Sequence, residues 1–148
     1  GECGRVPEGR LFDRVLVPRL VGIEDSSRHW SAAMVLEHLM VVGKRMGAII
    51  VALTNGREPR DTIDIRELKP TGSAADDVVD QFRVFLKVFE ETLAERLGDM
   101  GSPMRAEHPW FGALDGHGWV CLAALHQRVH RRQMREIRRR LVRSRIKG

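Results

Sequence analysis

The sequence predicts an all-α fold. Three long stretches carry apolar residues at helical spacing. No stretch alternates with the period of a buried-face strand, and every proline (7, 18, 59, 70, 103, 109) falls outside the three stretches. A length of 148 residues suits one domain with one core. The predicted organisation is a single bundle over residues 1–148 with long connections. It has an irregular N-terminal segment over 1–26 and a basic helix end over 138–148.

The first helix is predicted to start after Ser31, a good N-cap, and to run to about Thr54, before Asn55-Gly56. Met34, Val35, Leu36, Leu39, Val41, Val42, Met46, Ile49 and Leu53 cover much of its circumference, so it should be central and well buried. The second is predicted to start at Ser73, where Ser73-Ala-Ala-Asp76 resembles a capping box, and to stop at Gly98. Its stripe of Val78, Phe82, Phe85, Leu86, Phe89, Leu93 and Leu97 reads as core packing. The third is predicted from an Asp115 N-cap to about Arg145. Trp119, Leu122, His126, Val129, His130, Gln133 and Ile137 share one stripe of it.

Leu11 to Leu20 is apolar enough for a short helix, but Pro7, Gly9 and Pro18 interrupt the region. Residues 55–72 and 99–114 are connectors, and 62–65 reads as extended.

Charge is unevenly spread. The formal net charge is +5, yet Arg128 to Gly148 holds ten Lys or Arg against one acid, Glu136. The rest of the chain is therefore net negative, a mildly acidic body with a basic last helix. Such a run is what a solvated helix face carries, and cations suit a helix C-terminus. Nucleic acid is accordingly not the expected partner. The longest uncharged apolar run, Met46 to Leu53, is far too short to cross a membrane. No secretory signal is visible. Cys3 and Cys121 do not make a disulfide framework and read as reduced thiols of a cytoplasmic protein.

The chemistry-bearing pattern is histidine. His126 and His130 are four apart, one turn of helix, so both imidazoles share a face. That face is the apolar one and also holds Gln133, so these polar groups need partners. His38 lies in the first apolar helix. Packing the two helices side by side would bring three imidazoles together, a ligand set for a divalent metal that leaves a position open. Glu37, His108 and Gln133 are candidates for groups around such a centre. His29 and His117 read as surface residues. Cys121 is well off the face of His126.

Trp30-Ser31-Ala-Ala-Met-Val-Leu-Glu37-His38-Leu39 resembles the first-histidine motif of the DinB-like (damage-inducible) metalloprotein superfamily. His108-Pro109-Trp-Phe111-Gly112 to Trp119, followed by Leu125-His126-Gln-Arg-Val-His130-Arg-Arg-Gln133, resembles its closing motif. The resemblance implies a four-helix bundle in which His38, His126 and His130 hold zinc or nickel. The broken N-terminal segment implies that the bundle's first helix is short, broken or missing here. Thiol-dependent transferases and isomerases occur in the family, using low-molecular-weight thiols such as mycothiol, bacillithiol or glutathione. The implied activity is that of a metal-dependent enzyme acting on a small molecule, with such a thiol as co-substrate. An incomplete bundle would expose an apolar face and favour a homodimer. The alternatives are a metal-stapled structural or dimerisation domain, or a nucleic-acid-associated module using the basic helix.

Overall fold

The computed structural model describes residues 6–7, 9–60 and 65–146. Three helices dominate: α1 (Ala32–Thr54), α2 (Val78–Arg96) and α3 (Gly116–Ile146). A two-stranded hairpin, β1 (Arg105–His108) and β2 (Gly112–Asp115), precedes α3. The all-α class therefore describes the bulk of the chain, but the described residues contain three long helices where four were expected.

α1 is the centre of the structure. The Ser31 hydroxyl caps it by accepting from the Met34 N–H at 3.2 Å. Its residues are buried almost all round, as the wide apolar pattern requires. α3 packs along one side, antiparallel: Gly116 lies against Thr54 at one end, and His130 against His38 and Trp30 at the other. α2 packs along another side and runs parallel to α1. Gly43 faces Phe85, Gly47 faces Phe89, and the Gly98 N–H donates to Thr54 Oγ1 at 3.1 Å. The parallel pairing explains the long connector between them, which must return the chain to the start of α1.

The core forms two clusters. One surrounds the N-terminal half of α1 and holds Trp30, Val35, Leu36, Leu39, Val78, Ile137 and Leu141. The other surrounds its C-terminal half and holds Val42, Met46, Ile49, Ile50, Leu53 and Trp119. His38 lies near the C-terminal limit of the first cluster's stretch of α1 and is itself buried.

Three sequence expectations need correction. First, α2 starts at Val78, not Ser73. The carboxylate of Glu37 accepts from the Thr71 N–H (2.9 Å), the Thr71 hydroxyl (2.7 Å) and the Gly72 N–H (3.2 Å). The Ser73 N–H is spent on Thr71 Oγ1 at 3.2 Å. This clasp holds residues 71–73 in a turn, with Gly72 at φ +78°, so the capping-box pattern is not used. Second, the α2 stripe is only partly core. Val78 and Phe85 are buried, whereas Leu86 and Leu97 are 37% and 43% exposed. α2 is an edge helix packed mainly on α1. Third, residues 99–114 are more than a connector, because they contain the hairpin. Its register pairs Arg105 with Asp115 and His108 with Gly112, around a three-residue tip closed by Gly112 at φ +69°. Strands of four residues are too short for a period of two to stand out.

The described part of the N-terminal segment wraps irregularly. It makes no helix before a single 3-10 turn at Asp25–Ser27 among the described residues. Backbone bonds tie it down: Val17 N–H to Arg28 C=O at 3.0 Å and Ala33 N–H to Leu11 C=O at 3.0 Å. Arg10 reaches the end of α3, donating to Leu141 C=O at 2.8 Å. The extended reading of 62–65 falls largely outside the described residues.

At Gly43 the absence of a side chain lets Phe85 of α2 pack directly on α1. A Cβ there would lie 2.5 Å from Phe85 Cζ. Gly43→Val is therefore expected to destabilise the fold by about 1–3 kcal/mol in urea unfolding. Adding Phe85→Leu should recover part of that loss, as coupling in a double-mutant cycle. Independent, additive losses would contradict this packing.

Candidate metal centre

α1 and α3 together bring three imidazoles to one point. Ring centroids are 5.1 Å apart for His38 and His126, 4.6 Å for His38 and His130, and 4.5 Å for His126 and His130. Each offers one ring nitrogen, and these atoms lie within 4.8 Å of one another. The pair on α3 meets by the one-turn spacing. The third ring meets them because α1 and α3 run antiparallel in close contact.

The bonds on the outer side of these rings decide which nitrogens face inward. His38 Nδ1 lies 2.6 Å from the Leu68 carbonyl oxygen, which can only accept. That nitrogen therefore carries the proton, and Nε2 keeps its lone pair. Gln133 is fully buried and its amide donates to the Ser27 carbonyl at 2.7 Å. Its own carbonyl oxygen is thereby turned to His130 Nδ1, 2.8 Å away, which must donate. So His130 also directs a bare Nε2 inward. His38 Nε2 and His126 Nε2 are 3.1 Å apart. With the His38 proton committed to Leu68, the His126 Nε2–H donates in the metal-free protein.

Burial keeps all three rings neutral. His126 is lowered from 6.5 to about 3, first by burial and then by the fields of His130, His38 and His108. His130 is lowered to about 4 by burial and His38, against a raising contribution from Gln133. His38 is lowered by burial, which outweighs the Leu68 carbonyl and Glu24. Neutral imidazole with outward Nδ1–H and inward lone pair is the form in which histidine ligates a divalent ion. The donor set therefore fits a divalent metal that accepts imidazole nitrogen.

The rings open onto a cavity of about 100 Å³ whose walls include Trp30, Val42, Met46 and Trp110. Trp30 stacks on His130 with an interplanar angle of 7°. At the mouth, Lys69 and Glu24 approach to 3.9 Å. A larger groove of about 1030 Å³ runs between α1 and α2, but no histidine or cysteine lines it.

The other candidate residues have definite places. Gln133 touches His130. His108, the last residue of β1, lines the cavity, and burial lowers its pKa. Glu37 does not line the cavity and instead clasps Thr71 and Gly72. His29 and His117 are exposed, as expected. Cys121 is an exposed thiol 3.8 Å from His117, and Cys3 lies outside the described residues. Sequence reasoning missed the Leu68 and Ser27 carbonyls, which carry no side-chain signal. Trp110 was visible only as part of the closing motif.

A family model described as the DinB superfamily matches residues 4–134, a span that includes all three histidines. No curated protein and no solved structure matches the chain.

Two measurements on metal-free protein test this arrangement. Because the folded pKa values are depressed, stability is fully present above about 6.5. It is lost as pH falls from there towards the folded values near 4 and 3, since the unfolded chain takes up protons first. The urea midpoint of metal-free protein should therefore fall steadily between pH 6.5 and 4. The triple His→Ala variant should show a flatter profile. Gln133→Leu leaves the Ser27 carbonyl and His130 Nδ1–H buried without partners and should cost about 1–3 kcal/mol. An unchanged midpoint would show that the amide bridge carries no stability.

Proposed function

The chain belongs to the DinB superfamily, and from that premise we propose that it is a metal-dependent enzyme in which His38, His126 and His130 hold zinc or nickel. The observation that carries this reading is the convergence of three neutral imidazoles, two of which, His38 and His130, already commit their outer nitrogens to acceptors. Supporting bonds of this kind orient ligands before the ion arrives, so little ordering remains to be done on binding. His126 alone must move its proton, from Nε2 to Nδ1, to complete the set.

The reaction we infer is thiol-dependent transfer or isomerisation of a small molecule, with a low-molecular-weight thiol as co-substrate. When bound, the ion would supply Lewis acidity and lower the pKa of a thiol or water beside it. The chain does the rest. Three imidazoles add no negative charge, so the full positive charge of the ion is left to attract an anionic group. Trp30, Val42 and Met46 exclude water from the same space and strengthen that attraction. An open cavity against the histidines favours chemistry over a purely structural staple, whose metal would be enclosed by protein ligands.

Elemental analysis of purified protein should find about one zinc or nickel per chain, lost in the triple His→Ala variant. Equal, negligible metal in both proteins would overturn the reading. Chelation should lower the melting temperature of the native protein and leave the variant unchanged. For the thiol, adding glutathione to cobalt-substituted protein should change its visible spectrum. No response to glutathione or to other small thiols would remove the thiol-dependent part while leaving the metal centre standing.

A further inference from the structure

His108 is the one cavity-lining histidine outside the three-histidine cluster, and its surroundings constrain it tightly. Its residue is 8% exposed. The ring is packed among Trp110, Phe111 and Trp119, with centroid distances of 5.8, 5.0 and 5.5 Å. The backbone N–H of Trp110 points at His108 Nδ1, 3.2 Å away. A backbone N–H can only donate, so Nδ1 accepts and the ring proton sits on Nε2. Among the described residues, His108 makes no other hydrogen bond. The ring therefore lines the cavity with an Nε2–H that has no protein acceptor. The Nε2–H is not sealed off from the cavity, so water or a small ligand there can reach it and accept its hydrogen bond.

Resting on the metal centre proposed above, we propose that the His108 Nε2–H donates to a compact anion held in the cavity beside the metal, so that the site selects an anionic head group of a few heavy atoms. The size follows from the cavity: about 100 Å³, when one water occupies about 30 Å³ of liquid. The charge preference follows from the lining. The three ligands are neutral, and the only described charged side chains lining the cavity, Glu24 and Lys69, face each other as a pair. Glu24 reaches His38 with its field but is offset by Lys69, so the described lining is net neutral and the ion's charge dominates, while His108 adds a directed donor on the hairpin side. Hydrogen bonds to charged acceptors are stronger than neutral ones, which makes the group a determinant of specificity.

The test uses cobalt-substituted full-length protein with azide as the anion, followed by visible absorption. His108→Phe should weaken azide binding by about tenfold or more, the range for a hydrogen bond to a charged group, while cobalt affinity is unchanged. His108→Gln, whose amide can donate from a similar position, should recover much of the loss. Nitrogen-15 NMR of zinc-loaded wild-type protein should show His108 as the Nε2–H tautomer, with that resonance shifting on azide addition. The proposal is overturned if His108→Phe binds cobalt normally and azide within twofold of wild type, or if wild-type protein binds cobalt but no azide. It also falls if NMR finds the Nδ1–H tautomer, a result that holds even if the variants do not fold. Failure of wild-type protein to bind cobalt would instead overturn the metal centre itself, and this inference with it.

Discussion

Everything around the candidate site depends on one constraint: imidazoles buried between α1 and α3 must find partners for their outer nitrogens. His38 finds the Leu68 carbonyl, at the end of a 3-10 turn within the long connector. His130 finds Gln133, which is itself held by the Ser27 carbonyl, 106 residues away in sequence. These bonds tie the N-terminal segment and the α1–α2 connector to the two central helices. They also fix two tautomers, and through them the inward direction of two lone pairs. Structural satisfaction and readiness for a metal are here the same set of bonds.

The second organising fact is the position of α1. It runs through two apolar clusters, and the cavity beside His38 is walled by Trp30 of one and by Val42, Met46 and Leu68 of the other, so the polar centre opens at the seam between them. Hydrophobic packing on both sides of the seam supplies rigidity, while the seam itself opens to a small cavity. The hairpin closes that cavity from the far side. It is anchored by the Trp119 indole N–H, which donates to the Ala106 carbonyl at 3.3 Å. α2 plays no direct part in the centre. It covers another side of α1 and leaves Val84, Leu86 and Val88 in contact with solvent.

Legibility differed by element for physical reasons. The start of α1 was readable because Ser31 both begins the apolar pattern and makes the capping bond. The start of α2 was not, because the same kind of signal at Ser73 is overridden by Glu37, a residue far away in sequence. The hairpin was hidden by its shortness. The three histidines were readable as a set because the spacing of four and the apolar setting of His38 are local facts. The role of Glu37 was open to misreading because adjacency to His38 says nothing about where a carboxylate finds its donors.

By itself, then, the sequence determined the helical periodicity, the shared face of His126 and His130, and the placement of polar rings on faces that must be buried. These are properties of a turn of helix and of the cost of burying polar groups. Only the tertiary structure decided that α1 and α3 meet antiparallel at those rings and that α2 is an edge helix. It alone decided which nitrogen of each ring faces inward, and that His108 joins the cavity on a hairpin. Those outcomes depend on carbonyls and amide N–H groups that every residue carries, so no pattern of side chains could announce them.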